Sequence, residues 1–98
     1  MKLKVCNEDG YSYFFCPACN HIHALNVGPK GWEYNGNPDS PVTNPSIRVS
    51  RCDHGDPNNG VTLCHCYLEG DLIRYCDDSP HEFAGQRVPL PEIPEKYL

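Results

Sequence analysis

The chain has 98 residues and a net charge of −5, with 39% hydrophobic residues, 10 prolines, 8 glycines and 7 cysteines. A chain this short buries a modest core and needs a supplement to it, and so many breakers exclude long helices. The scattered Lys2, Lys4, Lys30, Arg48, Arg51, Arg74, Arg87 and Lys96 form no basic stripe, so nucleic acid is not an expected partner, and no apolar run of about 18 residues exists to span a membrane.

In chain order, the segments LKVC and YSYFFC flank NEDG, whose Asp9-Gly10 predicts a hairpin turn. HIHALNV follows, which places Cys16 and Cys19 at the tip of a second hairpin. GWEYNG reads as a short aromatic strand entering the loop NPDSPVTNP, with Trp32 and Tyr34 as core aromatics and Asn35 at a turn. SIRVS is a β-branched run, and RCDHGDPNNG a polar loop closing on an Asn-Gly turn. VTLCHCYLEGDLIRYC predicts the central hairpin, turning at Glu69-Gly70. Leu68 then pairs with Asp71, Cys66 with Ile73 and Cys64 with Tyr75. Strand alternation puts Cys64, Cys66 and Leu68 on one face, and Leu63, His65 and Tyr67 on the other. SPHEFAG is expected to form one helical turn with Ser79 as N-cap. VPLPEIPEKYL is expected to form an extended strap over residues 89–98. The predicted class is mainly β: a small single domain over residues 1–98, built from antiparallel hairpins, stabilised by zinc, with at most one short helical turn.

Seven cysteines raise the choice between disulfides and a metal. The odd number, and the polar residues that follow Met1 where an apolar leader would stand, favour reduced thiols and a cytoplasmic chain. Cys16-Pro-Ala-Cys19 offers two thiolates on a stiff turn, a geometry suited to one tetrahedral Zn2+. A redox pair would need a βαβ context that these residues do not provide. Zinc wants further ligands. Cys64 and Cys66 lie about 6–7 Å apart along one strand face, too far for both sulfurs to meet one ion. One of the two is therefore expected as a ligand, and Cys64 is taken. His23, four residues after Cys19 as in a zinc knuckle, is the other, with a half-exposed strand histidine as an equal reading and His65 and His81 as alternative ligands. Cys66 reads as a small buried hydrophobe, His21 as exposed, and Cys6 and Cys52 as free thiols. Asp77, Asp78, Ser79 and His81 form a second group, in which a carboxylate beside a histidine can orient or charge the ring. From spacing alone a solvated acidic turn capping a helical turn is the favoured reading, and Ser46 reads as a serine at the start of a strand.

The runs FFCPACNHIHAL, GWEYNGNPDSPVTNPSIRV and LCHCYLEGDLIRYCDDSPHEFAGQRVPLPE resemble a family of small proteins of tailed phages and prophages. Members look like CPxCxxxH, then W-x-x-N-G and P-S, then C-H-x-F before a Gly turn, then D-x-x-H-x-x-A-G-Q. More distantly the chain is similar to a domain found beside bacterial ubiquitin-like conjugation genes, a resemblance that implies a peptidase. Ser79-Pro80 stands where phage relatives carry Cys-Thr, so no ligand is implied at Ser79. The resemblance raises Cys64, His65, Asp78 and His81 as functional residues. Two functions follow as expectations. One is a protein-interaction module, directed against a host protein in the host cytoplasm if phage-encoded. The other is a zinc-dependent hydrolase of peptidase or amidohydrolase type, with Asp78, His81 and Ser46 as its catalytic residues.

Overall fold

A computed structural model describes residues 1–50 and 62–98. The polar loop expected around RCDHGDPNNG, with Cys52, falls outside the described residues. Strands β1 (Leu3–Val5), β2 (Tyr11–Cys16) and β3 (His21–Asn26) form one antiparallel sheet in that order. Strands β4 (Glu33–Tyr34) and β5 (Thr43–Asn44) form a short ribbon. A second large antiparallel sheet runs β6 (Ile47–Ser50), β7 (Thr62–Glu69), β8 (Leu72–Tyr75) and β9 (Arg87–Pro89). The class is mainly β, as the breaker-rich composition implies.

Both expected N-terminal hairpins form. The first turn is tied by Asn7, whose Oδ1 accepts the N–H groups of Asp9 and Tyr11. Gly10 has φ of +84°, and a Cβ there would stand 1.9 Å from the Val27 carbonyl oxygen, so only glycine lets β3 close on this turn. The second turn carries Cys16 and Cys19 at its tip. The inner faces of the two large sheets meet in a core of Leu3, Phe14, Leu25, Ile47, Leu68 and Ile73, each at most 3% exposed. Burying a side chain of this size contributes about 1.5–3 kcal/mol.

The central hairpin forms with a register two residues away from the expected one. Its turn is Gly70-Asp71: Glu69 pairs with Leu72, Leu68 with Ile73 and Cys66 with Tyr75. A two-residue slip keeps every side chain on its face, so alternation does not select between the registers. Turn chemistry does. Gly70, at φ +78°, occupies the first central position, which demands a left-handed residue, and its N–H donates to the Pro41 carbonyl at 2.9 Å. Glu69 and Arg74 then lie close enough to pair at 2.9 Å. The consequence for chemistry is that Cys76 comes level with His65, where the expected register would put Arg74. The Cys76 N–H donates to the His65 carbonyl at 2.8 Å.

SPHEFAG does not form a helix; residues 80–85 run through bends and turns. The Ser79 hydroxyl, instead of capping a helix, is engaged elsewhere. The C-terminal strap begins on β9, which pairs with β8, and ends in a 3-10 turn at Glu95–Tyr97. Between them Leu90 and Ile93 are buried, and the Ile93 N–H donates to the Met1 carbonyl. Among the described residues no helix is long and apolar enough to cross a membrane.

Candidate functional site

Four donors converge between the two large sheets. Cys16 ends β2, Cys19 lies on the following turn, His23 is on β3 and Cys64 on β7; their ligand atoms lie within 4.8 Å of one another. Cys16 and Cys64 are fully buried and His23 is 8% exposed. The surroundings are arranged for thiolates. The Cys19 N–H donates to Cys16 Sγ at 3.4 Å. The Tyr75 hydroxyl accepts the Ala18 N–H at 3.3 Å, which leaves its proton for Cys16 Sγ at 3.1 Å. His81 Nδ1 accepts the Phe83 N–H, so its Nε2 carries the proton and points it at Cys64 Sγ, 3.5 Å away.

Without a cation these thiols are held in their protonated form. Contact with Cys64, and then burial, push Cys16 up to about 11; burial, and then Cys16, push Cys19 up to about 11. The hydrogen bond from Cys16 pulls Cys64 down, but Cys66 and burial outweigh it and its thiol is raised. His23 Nε2 is buried with no hydrogen-bond partner. A buried, unsatisfied imidazole nitrogen beside three crowded sulfurs fits a metal ion, which would complete the nitrogen and discharge the thiolates. The cluster can therefore bind a metal ion through the four residues singled out from the sequence. Of the two alternative ligands, His81 backs Cys64 from outside the cluster and His65 faces away from it.

Strand alternation explains where His65 goes. Cys64 and Cys66 point into the core, so His65 between them emerges on the other face of β7. There its Nε2 lies 2.8 Å from Ser46 Oγ and its Nδ1 2.8 Å from Asp78 Oδ1. The three side chains come from three adjacent segments of one sheet: Ser46 immediately before β6, His65 on β7, and Asp78 just beyond β8. Extending the pairing of Ile47 with Cys66 by one residue puts Ser46 level with Tyr67, two positions along from His65 and on the same face. A hydroxyl, an imidazole and a carboxylate joined in this order can activate the hydroxyl as a nucleophile. Ser46 and Asp78 thus meet through His65, not through His81, which instead lies edge-on to Tyr75 with ring centroids 4.6 Å apart.

Two further residues hold this chain of contacts, and sequence reasoning gives neither of them this role. Ser79, 5% exposed, accepts the His65 N–H at 3.2 Å and donates to the His65 carbonyl at 2.7 Å, gripping both sides of that residue's backbone. Its appearance as a helix cap hides this role, because the partner lies 14 residues away, on β7. Trp32 Nε1 donates to the Ser46 carbonyl at 3.2 Å. Ser79→Ala leaves the His65 N–H unsatisfied and is expected to cost about 1–3 kcal/mol of stability. A chemical denaturation midpoint unchanged from wild type would remove Ser79 from this role.

A cleft of about 430 Å³ is lined by Gly31, Glu33, Asn44, Tyr67 and Pro45, the residue that precedes Ser46. Another, of about 400 Å³, lies across Tyr67 and is bordered by Arg74, Cys76, Asp77 and Arg87. Tyr67 thus stands between two depressions on the face that carries His65. A slightly larger cleft of about 440 Å³ is formed by residues 26–31 with Glu8 and Asp9; none of these three clefts is lined by Ser46, His65 or Asp78 themselves.

A family model described as "Bacterial ubiquitination-like system serine protease (BubE)" matches residues 1–76. No curated protein and no solved structure matches the chain. The match fits the more distant of the two resemblances, to a domain beside ubiquitin-like conjugation genes, and not the phage family. Ser46, His65 and all four residues of the metal cluster lie inside the matched segment; Asp78 lies two residues past it.

Proposed function

Since the chain belongs to the bacterial ubiquitination-like system serine protease (BubE) family, we propose that it is a serine peptidase that acts on a polypeptide of such a system. Ser46 is the nucleophile, His65 the general base and Asp78 the carboxylate that orients the ring. The observation that carries this reading is the continuous chain from Ser46 Oγ through His65 to Asp78, with 2.8 Å at each link. Asp78 accepts the Nδ1 proton, which leaves Nε2 with a lone pair aimed at the Ser46 hydroxyl. As Oγ attacks the scissile carbonyl, its proton passes to Nε2. The same proton then goes to the leaving amine as the C–N bond breaks. Water, deprotonated by His65 in turn, releases the acyl group from Ser46.

The ion we assign to Cys16, Cys19, His23 and Cys64 is Zn2+, in a structural role. Three thiolates and one imidazole complete a tetrahedral set from protein alone and leave no position for a reacting water. What the metal supplies when bound is a cross-link between β2, β3 and β7. Cys64 and His65 are consecutive on β7, so loss of the cross-link reaches the catalytic histidine through the unfolding of that strand. This reading replaces a metal-activated water with a serine nucleophile, and it makes the protein partner a substrate.

Labelling with a fluorophosphonate probe tests the assignment. Wild-type protein is expected to gain one covalent phosphonyl group on Ser46, mapped by peptide mass analysis. Folded Ser46→Ala and His65→Ala variants are expected to gain none. Unlabelled wild type, or labelling that persists in Ser46→Ala, would overturn it.

A further inference from the structure

Cys76 follows β8 at the position level with His65, and it is half-buried. One ligand atom each from His65, Cys76 and Asp78 lies within 4.8 Å of the others. The proposed peptidase chemistry uses His65 and Asp78 but has no use for the thiol. A sulfur, an imidazole nitrogen and a carboxylate oxygen at this spacing need only small side-chain rotations to meet one ion at about 2.0–2.3 Å. Their softness selects Zn2+ or Cd2+ over Mg2+. We propose that His65, Cys76 and Asp78 form a second divalent-metal site whose occupation switches the peptidase off; the inhibitory role rests on the function proposed above.

The physical basis of inhibition is the tautomer of His65. Nδ1 is the nitrogen on the Asp78 side, 2.8 Å from Oδ1, so an ion shared with that carboxylate takes the Nδ1 lone pair. The single proton of the neutral ring then resides on Nε2. That nitrogen becomes a donor toward Ser46 and can no longer accept the hydroxyl proton. One proton, from the Cys76 thiol, leaves to the buffer, and Asp78 exchanges its hydrogen bond for a metal bond. No bond to Ser46 is made or broken. The site differs in kind from the buried four-donor cluster. It has three protein donors, and its Asp78 side chain is 64% exposed, so it is expected to bind more weakly and to empty and fill with the ambient ion.

The test is a titration of the full chain, already loaded at the four-donor cluster, with Zn2+, Cd2+ and Mg2+. Wild type is expected to bind one further Zn2+ or Cd2+ and no Mg2+ at the same concentrations. The heat should vary with the buffer's ionisation enthalpy by about one proton. Cys76→Ala is expected to lose this second equivalent while keeping the first ion. In the fluorophosphonate reaction, Zn2+ at the second-site concentration should slow wild-type labelling at least tenfold and leave Cys76→Ala labelling unchanged. No second equivalent in wild type, or its persistence in Cys76→Ala, would overturn the site whether or not the protein is a peptidase. A second equivalent that binds through Cys76 without slowing Ser46 labelling would overturn the inhibitory role. Absence of any Ser46 labelling would instead sink the peptidase reading and the inhibition built on it, with the metal stoichiometry still deciding the site.

Discussion

Ser46→Ala and His65→Ala are expected to lower kcat for peptide cleavage by about 10⁴–10⁶-fold while leaving KM within a few-fold of wild type. The two losses should not add in the double variant, because either change alone disables the same proton transfer. Asp78→Asn is expected to cost less, on the order of 10²–10⁴-fold. An amide at this position donates to Nδ1 and favours the wrong tautomer, but the Asp78 side chain is 64% exposed and water can take over part of the orientation. His81→Ala acts through a different route. Its Nε2–H points at Cys64 Sγ, so its removal should weaken metal retention by about 10–100-fold, as loss of a donor to a ligand does. Steady-state kinetics with metal content measured on the same samples separate these effects. A His81→Ala variant that keeps its metal and loses turnover as completely as His65→Ala would show that the histidine roles are reversed.

The second large effect is expected from losing the four-donor cluster. Cys16→Ser, Cys64→Ser or exhaustive chelation removes the cross-link between β2, β3 and β7, and leaves buried polar atoms without a partner. Structural zinc contributes folding energy outright. A loss of even about 3 kcal/mol in a domain of this size lowers Tm by roughly 12–24 °C. Metal uptake by the folded protein also releases protons, because Cys16 and Cys19 sit near 11 without a cation. Affinity should therefore weaken as pH falls. Activity should disappear in step with unfolding, with kcat per folded molecule unchanged, because the metal assigned here fixes β7 and touches no reacting atom. An apo protein with wild-type Tm would refute a structural metal, and a folded apo protein with no turnover would return the ion to the chemistry.

Local features of the chain determined the N-terminal half of the cluster. Cys16-Pro-Ala-Cys19 between two strand patterns puts both thiols on one turn whatever the rest of the protein does. His23 and Cys64 were legible only in part. His23 stands four residues after Cys19, and the spacing of Cys64 and Cys66 forbids both from meeting one ion, although their shared strand face does not say which of the two does. The mainly β class follows from the same periodicity and from the density of prolines and glycines.

What only the tertiary structure decided is which distant residues share a site. Ser46, His65 and Asp78 are separated by 19 and 13 residues; the sequence singled each of them out, but no local pattern joins the three. Asp78 and His81 look like a pair in the sequence because they are three residues apart. The turn after β8 splits them, sending Asp78 to His65 and His81 to Cys64. Cys76 comes level with His65 only because the central hairpin turns at Gly70-Asp71. A register two residues away preserves every burial preference; of the contacts that accompany the observed one, Glu69 with Arg74 lies within the hairpin, and Gly70 with Pro41 joins it to a segment that local pattern treats as independent. Periodicity specifies the face a side chain takes. Register and turn geometry, settled by packing between strands, specify its neighbours, and the proposed chemistry depends on those neighbours.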